Sequence, residues 1–481
     1  MAFAFIADLP TSAAILLVIS LVAICLFEAI NGFHDTANAV ATVIYTKTLR
    51  PNVAVVWSGI MNFLGVFFGG VVMAWILGFF SSSGDSHGGI AVAMGIVKLM
   101  PLNEMMASSL SETISLVLAV LFAAIAWNLG TWYYGIPCSS SHTLIGALLG
   151  AGFAFSTVQI GAKVNWTKAG EIGSSLLISP LFGFSLAIVL MYLLRAFVKN
   201  KRIFNEPDPK KPPPFWIRGV LVLTCTLVSF FHGSNDGQKG VGLLLVVMMT
   251  FLPTQYALDS RVSPAQLKDA AGQIERALLQ EAATASNSGT LQAFAQEARD
   301  LTITLDTLDP QSKTALLELR KGIQKLNGGL KGAIAGGVIA EKTTINTVRS
   351  QVRRLASSYE FAPTWMIALI SICLGIGTMI GWKRIVVTIG EKIGKSHLTY
   401  AQGASAELCA AATIGVSTGL GLPVSTTHVL SSGIAGTMVA QGGIKNLQRG
   451  TIKSIILAWL LTLPVSFTLA FILFFVLRVI I

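Results

Sequence analysis

Two short polar motifs each occur twice in this chain, and their residue types point to ion binding. The first motif reads GFHDTANA at Gly32–Ala39 and GSNDGQKG at Gly233–Gly240. The second reads PCSSSHT at Pro137–Thr143 and PVSTTHV at Pro423–Val429. All four copies lie in or beside apolar runs, where an aspartate needs a partner or a water-lined cavity. The repetition, in the same order, predicts a duplicated protein with a polar site in apolar surroundings.

The hydroxyl motifs have the residue types that bind anions. In both copies a proline precedes a run of serine or threonine, and an apolar, glycine-containing stretch follows. A helix that begins in such a run offers free backbone N–H groups, a positive dipole end and hydroxyl donors. Two such ends meeting near a membrane midplane would hold a tetrahedral oxyanion without arginine. The alternative, simple helix capping or interhelical bonding, is less favoured because the motif is repeated. The predicted substrate-binding hydroxyls are Ser139, Ser140, Ser141, Thr143, Ser425, Thr426 and Thr427.

The aspartates are expected to act on cations, because a carboxylate repels a bound anion. Asp35 and Asp236 are the candidate metal ligands, and Thr36 and Asn38 add oxygen atoms to the first copy. Lys239 stands where the second copy would repeat Asn38. Its ammonium fills the place of a bound cation, which argues against two equal sodium sites and favours proton coupling. A purely structural ion pair with Asp236 is the alternative. Further candidates are Asn235 for coupling, and Gln238 and Lys239 for substrate.

Three histidines beside these motifs are candidate proton carriers. His34 precedes the first aspartate, and His142 and His428 follow the hydroxyl runs. A histidine titrates near neutral pH, although a lone histidine is more often a packing residue. The sequence lacks HExxH and Walker motifs, so the prediction is a protein that is not an enzyme and needs no cofactor.

Composition indicates a membrane protein. Of 481 residues, 53% are hydrophobic and 12% are charged, about half the charged fraction of ordinary soluble domains. The net charge of +11 is spread over short loops rather than gathered in one basic region, so no nucleic-acid partner is expected. The first apolar segment lacks a basic leader and is expected to be a retained helix. The cysteines form no CxxC or disulfide framework; they are Cys25, Cys138, Cys225, Cys373 and Cys409.

The apolar runs predict an all-α polytopic membrane protein of two inverted repeats, each with about five membrane segments and broken or re-entrant helices. In the first half we expect segments at 11–32, 53–80, 113–134, from Pro137 to 156, and 172–194. The second half repeats them at 215–252, 363–382, 399–420, from Pro423 to 439, and 452–476. The predicted division is 1–198 (first repeat), 199–215 (basic, proline-rich cytoplasmic linker), 216–254 (start of the second repeat), 255–360 (insert) and 361–481 (rest of the second repeat).

The insert accounts for the unequal spacing of the motifs. The two aspartates are 201 residues apart, whereas the two motif prolines are 286 apart, so the second half is about 85 residues longer between its motifs. The insert is polar, and the apolar spacing predicts amphipathic helices at 264–285, 310–327 and 342–358, with a flexible Gly328–Gly337. A disordered linker is the alternative.

Loop charges predict the orientation. The loops 45–52, 135–137, 195–218, 383–398 and 441–451 carry most of the basic residues outside the insert. The positive-inside rule then places these loops in the cytoplasm, with the N-terminus and the insert outside.

The four motif copies resemble those of the inorganic phosphate transporter (PiT) family, across both halves but not the insert. The second aspartate motif reads NDGQKG, as in the bacterial low-affinity branch, where sodium-coupled relatives read NDVANA. The resemblance implies proton symport, phosphate carried as a neutral metal complex, and a site built from both motif pairs. His34 and Lys239 depart from the sodium-type pattern.

We therefore predict a secondary transporter in the cell (inner) membrane of a bacterium that imports inorganic phosphate by proton symport. A divalent metal ion accompanying phosphate, and a homodimer in the lipid bilayer, are left open. The alternatives are a sulfate permease of the same fold and a sodium-coupled phosphate symporter. A channel is a rival of another class, for which conductance would survive Asp35→Asn.

Overall fold

The computed structural model describes residues 9–80, 90–208, 211–285 and 287–481, without the side chains at 36–38 and 77–80. These residues form helices, turns and one isolated bridge between Gly394 and Leu447. They divide into two compact units. The larger unit runs up to Pro101 and then over Ser111–Val247 and Ala362–Ile481; the smaller is Leu102–Leu110 with Met248–Phe361.

The helices follow the order of the two predicted halves. Those of the first half are α1 (Thr11–Tyr45), α2 (Pro51–Phe80), α3 (Ala91–Val97), α4 (Leu102–Ala107), α5 (Leu110–Tyr133), α6 (Ser140–Val158) and α7 (Trp166–Phe197). The second half begins with α8 (Phe215–Phe251), α9 (Pro253–Tyr256), α10 (Pro264–Ala282), α11 (Ser288–Asp306), α12 (Lys313–Ala335) and α13 (Lys342–Ala356). It ends with α14 (Thr364–Thr378), α15 (Lys383–Glu391), α16 (Tyr400–Gly419), α17 (Thr426–Gly442) and α18 (Arg449–Ile480).

Seven of the described helices, α1, α2, α5, α6, α7, α8 and α18, are long and apolar enough to cross a membrane. The bent pair α14 and α15, with 65° between its parts, makes an eighth candidate. The prediction of an all-α polytopic membrane protein is confirmed. Helices α16 and α17, which the sequence analysis also counts as membrane segments, are outside this set. The inverted orientation of the two halves stays a prediction.

The first helix is longer than predicted. The sequence analysis expects a span at 11–32 that leads into the first aspartate motif, but α1 continues through the motif to Tyr45. Inside a membrane every backbone polar group needs a partner, which a continuous helix provides. Here Asp35 receives hydrogen bonds from other helices, and the helical backbone satisfies its own polar groups.

Helices of the first half pack closely against helices of the second half. Helix α6, which follows the first hydroxyl motif, packs along α18, and α17, which follows the second, packs along α7. Glycines allow these approaches: a methyl group at Gly150 would overlap the backbone of Phe467, and one at Gly436 would overlap that of Phe184. Such contacts of small residues are the usual basis of helix association in membranes.

The smaller unit is a helical domain with its own apolar core. Helices α10 to α13 bury aliphatic side chains against one another, including Leu267, Ile274, Leu291 and Val348. Ser263 caps α10 in a capping box, in which Ser263 and Gln266 each accept a hydrogen bond from the other's backbone N–H. The sequence analysis misses α11. Its prediction that Gly328–Gly337 is flexible is wrong, because α12 runs to Ala335.

One contact explains why the glycines of α12 do not interrupt it. A side chain at Gly329 would meet the ring of Phe294 at 2.6 Å, so this glycine brings α12 close to α11 rather than loosening the chain. The short helix α4, which the sequence analysis assigns to the first repeat, belongs to the smaller unit, and its Asn103 donates to Gln324 Oε1 at 2.9 Å.

Candidate functional site

Asp35 lies where α1 meets the beginnings of two other helices. The residue is 2% exposed. Ser140 at the start of α6 donates a hydrogen bond to Oδ2 at 2.8 Å, and the Thr427 hydroxyl at the start of α17 donates to Oδ1. Because these donors come from the two hydroxyl motifs, one carboxylate joins the first aspartate motif to both of them.

The two hydroxyl motifs begin helices in the same way. Ser139 caps α6 by accepting from the backbone N–H of His142 at 3.2 Å, and Ser425 caps α17 by accepting from that of His428 at 3.1 Å. The motifs also touch, since the Ser141 hydroxyl donates to the carbonyl of Val424 at 2.8 Å. Two helix N-termini, each with a positive dipole end, therefore meet in one buried region.

The second aspartate motif contributes an ion pair within α8. Lys239 Nζ lies 2.7 Å from Asp236 Oδ1, and both side chains are almost completely buried. The same ammonium donates to the Ser141 hydroxyl at 2.5 Å and to the Val424 carbonyl at 2.9 Å. All three N–H bonds of the ammonium are thereby used. A cation belonging to the protein thus occupies the second aspartate motif and reaches the junction of the hydroxyl motifs.

His232 links the two aspartates and is missing from the sequence analysis. Its Nε2 lies 3.9 Å from Asp35 Oδ2 and 3.7 Å from Asp236 Oδ2. One ligand atom from each of the three residues lies within 4.8 Å of the others, a grouping that could hold a metal ion. Within the described residues, His232 Nε2 and Asp236 Oδ2 have no hydrogen-bond partner. The signal that could have found His232 is its spacing of four residues before Asp236, which places both on one face of a helix.

The three predicted histidines occupy two places. His34 Nδ1 lies 3.5 Å from Asp35 Oδ1, while its Nε2 lies 3.3 Å from the Thr131 hydroxyl. The His142 and His428 rings lie 4.5 Å apart between centroids. On its other side the His428 ring stacks on Trp459 at 3.9 Å. One histidine therefore borders the aspartate, and the other two lie against each other, with their rings tilted by 34°, in the hydroxyl motifs.

The remaining predicted residues have other contacts. Asn235 donates to the Thr418 hydroxyl at 2.9 Å and accepts from the Val424 N–H at 3.2 Å, so it holds the second hydroxyl motif in place. Gln238 accepts from the N–H of Val92 in α3. Two predicted hydroxyls remain. Thr143 donates to the Ser139 carbonyl, and the buried Thr426 Oγ1 has no hydrogen-bond partner among the described residues. The side chain of Asn38, predicted as a cation ligand, lies outside the described residues.

The family model for the phosphate transporter family matches residues 31–470. The chain belongs to the phosphate transporter family. The matched range includes all four motif copies, and the resemblance seen in those motifs is confirmed.

Individual relatives agree with this membership. The chain is 38% identical to the low-affinity inorganic phosphate transporter PitA of Escherichia coli K12, over 96% of this chain and 97% of the relative. It is 38% identical to PitB of the same organism, over 95% of each chain. A low-affinity inorganic phosphate transporter of Buchnera aphidicola is 36% identical, over 96% of each. These relatives are named as transporters, so the family is one of transporters and not of enzymes.

One solved structure, titled "The sodium-dependent phosphate transporter", is similar in fold. It covers 97% of this chain and 100% of its own, with a TM-score of 0.50 and 19% sequence identity. At this identity the similarity concerns the fold alone. Family membership and the long apolar helices together make the chain a multi-pass membrane protein.

Proposed function

We propose that this protein imports inorganic phosphate across the cell (inner) membrane of a bacterium by proton symport. Relatives that align over nearly the whole chain are named low-affinity inorganic phosphate transporters, which supports phosphate as the cargo. The observation that carries the proposal is the convergence of both hydroxyl motifs on Asp35 and Lys239. Backbone N–H groups and hydroxyls of two helix starts are the donors a tetrahedral oxyanion needs, and Lys239 adds a positive charge.

Proton rather than sodium coupling is supported by the inequality of the two aspartate motifs. A lysine ammonium hydrogen-bonds Asp236 in the second motif, where a sodium ion would need vacant oxygen ligands. Only the first motif then retains an aspartate without a lysine partner among the described residues, and its neighbours are histidines. His34, His142, His232 and His428 lie at the aspartates and the hydroxyl motifs, and an imidazole can accept and release a proton.

A divalent metal ion fits this site as part of the cargo. Asp35, His232 and Asp236 offer two carboxylates and an imidazole within metal-binding distance of one another. The oxygen Asp236 Oδ2 and the nitrogen His232 Nε2 are buried and have no hydrogen-bond partner in the described chain. Buried polar atoms of this kind are costly unless a ligand or water meets them. We propose that they contact the metal of a metal–phosphate complex during transport.

The energetics require a cation to accompany phosphate. Moving one negative charge inward against an inside-negative potential costs about 2.3 kcal/mol per 100 mV, and doubly charged phosphate costs twice that. A divalent ion neutralises this charge, and a proton adds a driving force. Symport of the complex with a proton is therefore inward-driven by both the potential and the pH gradient.

The cargo is tested by uptake of labelled phosphate into vesicles that contain the purified protein. We expect excess unlabelled phosphate or arsenate to abolish uptake, and sulfate at the same concentration to leave uptake unchanged. The reason is that a singly protonated phosphate can donate a hydrogen bond and sulfate cannot. Inhibition by sulfate equal to that by arsenate would instead indicate the sulfate permease. Vesicles with Asp35→Asn serve as the control and should show background uptake.

A further inference from the structure

A second buried carboxyl group lies on α1, away from the contacts of Asp35. Glu28 is 0% exposed and precedes Asp35 by seven residues, about 10 Å along the helix at 1.5 Å per residue. Its Oε2 lies 3.5 Å from Asn31 Nδ2, at the outer limit of a hydrogen bond, and its Oε1 has no hydrogen-bond partner among the described residues. The proposed cargo site does not use this group.

The backbone of α8 closes over Glu28. A methyl group at Gly240 would overlap the Glu28 carboxyl group, so the glycine lets α8 lie directly against Glu28 as it is placed here. Gly240 directly follows Lys239, whose ammonium bonds to Asp236 and Ser141. The titratable groups that act on Glu28 are Cys25 on its own helix, Asp236 and Lys239 on α8, and Cys373 on α14. Asp236 and Lys239 pair with each other, and no ion pair to Glu28 is present among the described residues.

Another buried glutamate provides a contrast. Glu407 of α16 is also 0% exposed, but both of its oxygens accept hydrogen bonds. The Thr42 hydroxyl donates to one oxygen, and the Thr224 hydroxyl donates to the other at 2.5 Å. A carboxyl group with satisfied oxygens is a structural link between helices. A carboxyl group in apolar surroundings with an unsatisfied oxygen is costly as an ion and is neutral when it carries a proton.

The geometry points to Glu28 as the proton-binding site that couples proton entry to phosphate transport; this inference rests on the proposed function. Glu28 holds the proton in the described conformation. When phosphate binds at the hydroxyl motifs without a metal ion, its negative charge strengthens proton binding at Glu28. At about 10 Å and an effective dielectric constant of about 20, one unit of charge changes proton affinity roughly tenfold. Linkage requires the proton to strengthen anion binding by the same factor.

The test compares Glu28→Gln with Glu407→Gln in vesicles that contain the full-length protein. Glutamine resembles a glutamate that is always protonated, so Glu28→Gln should keep exchange of internal for external phosphate within about threefold of the original protein. Accumulation of phosphate driven by an imposed pH gradient should fall at least about tenfold, the factor estimated from the charge separation. Glu407→Gln should retain both activities.

A binding measurement adds a readout that does not depend on transport. In weakly buffered detergent solution with a pH indicator, phosphate binding to the original protein should take up protons, and Glu28→Gln should lose this uptake. Full gradient-driven accumulation by Glu28→Gln would overturn the inference, and so would loss of both exchange and accumulation, which indicates a structural role. If the unsubstituted protein itself fails to respond to the pH gradient, the proposed function fails instead.

Discussion

The buried pair Asp236–Lys239 is the feature whose energetics can be predicted most sharply. Its two charged atoms lie 2.7 Å apart and are shielded from solvent, and the ammonium also bonds to Ser141 and Val424. Asp236→Asn or Lys239→Gln alone leaves one buried charge without its partner, which costs about 3–5 kcal/mol. The double substitution leaves no unpaired charge and should be much less destabilising than the sum. We expect an interaction free energy of at least about 2 kcal/mol in the double-mutant cycle.

The measurement is the free energy of unfolding in mixed micelles, from a denaturing-detergent titration of all four proteins. Lys168 and Glu171 provide a matched control, because they have the same spacing of three residues and the same 2.7 Å distance but are partly exposed. Their cycle should give less than about 1 kcal/mol. Additive effects at the buried pair, or equal interaction energies in the two cycles, would refute the assignment of Lys239 as the cation that Asp236 requires.

Three further predictions concern the hydroxyl motifs, the packing and the insert. Ser140→Ala removes a hydrogen bond from a hydroxyl to the Asp35 carboxylate, worth about 1.5–3 kcal/mol, so phosphate uptake should fall roughly 10–100-fold. Ser156→Ala on the same helix is the control and should leave uptake unchanged. Equal uptake by the two variants would contradict the proposed site. A methyl group at Gly233 would overlap the backbone of α2, so Gly233→Ala should lower the free energy of unfolding by about 1–3 kcal/mol. Gly130→Ala should not lower it, because its methyl group meets open space. Ile274→Ala should destabilise the core of the insert by about 2–5 kcal/mol and speed its proteolysis; unchanged proteolysis would place Ile274 outside that core.

The motifs were visible in the sequence because each of them is repeated. Repetition distinguished Ser140 and Thr427 from ordinary helix caps, and the structure places both hydroxyls against Asp35. Their roles in binding stay predictions. His232 was overlooked because it lies one residue before the repeated motif and has no counterpart histidine at Asn31. Only the tertiary arrangement brings its ring between the two aspartates.

The elements were predicted less well where tertiary contacts override local pattern. The polar run at Asp35 predicts the end of a span, yet α1 continues through it. The Asp35 carboxylate accepts hydrogen bonds from other helices, so the helix can carry it there. Glycines in α12 suggested flexibility, yet Gly329 serves close packing against Phe294. A helical period shows which residues face a core, but it does not show which neighbouring helix they meet.

The central claim, phosphate uptake coupled to protons, is tested most directly by one vesicle experiment. Uptake of labelled phosphate is followed while the pH gradient, sodium and magnesium are each varied alone. The arrangement of Lys239 on Asp236 predicts uptake that proceeds without sodium, rises with magnesium, and collapses when a protonophore removes the pH gradient. Uptake that needs a sodium gradient and is indifferent to the protonophore would contradict proton symport.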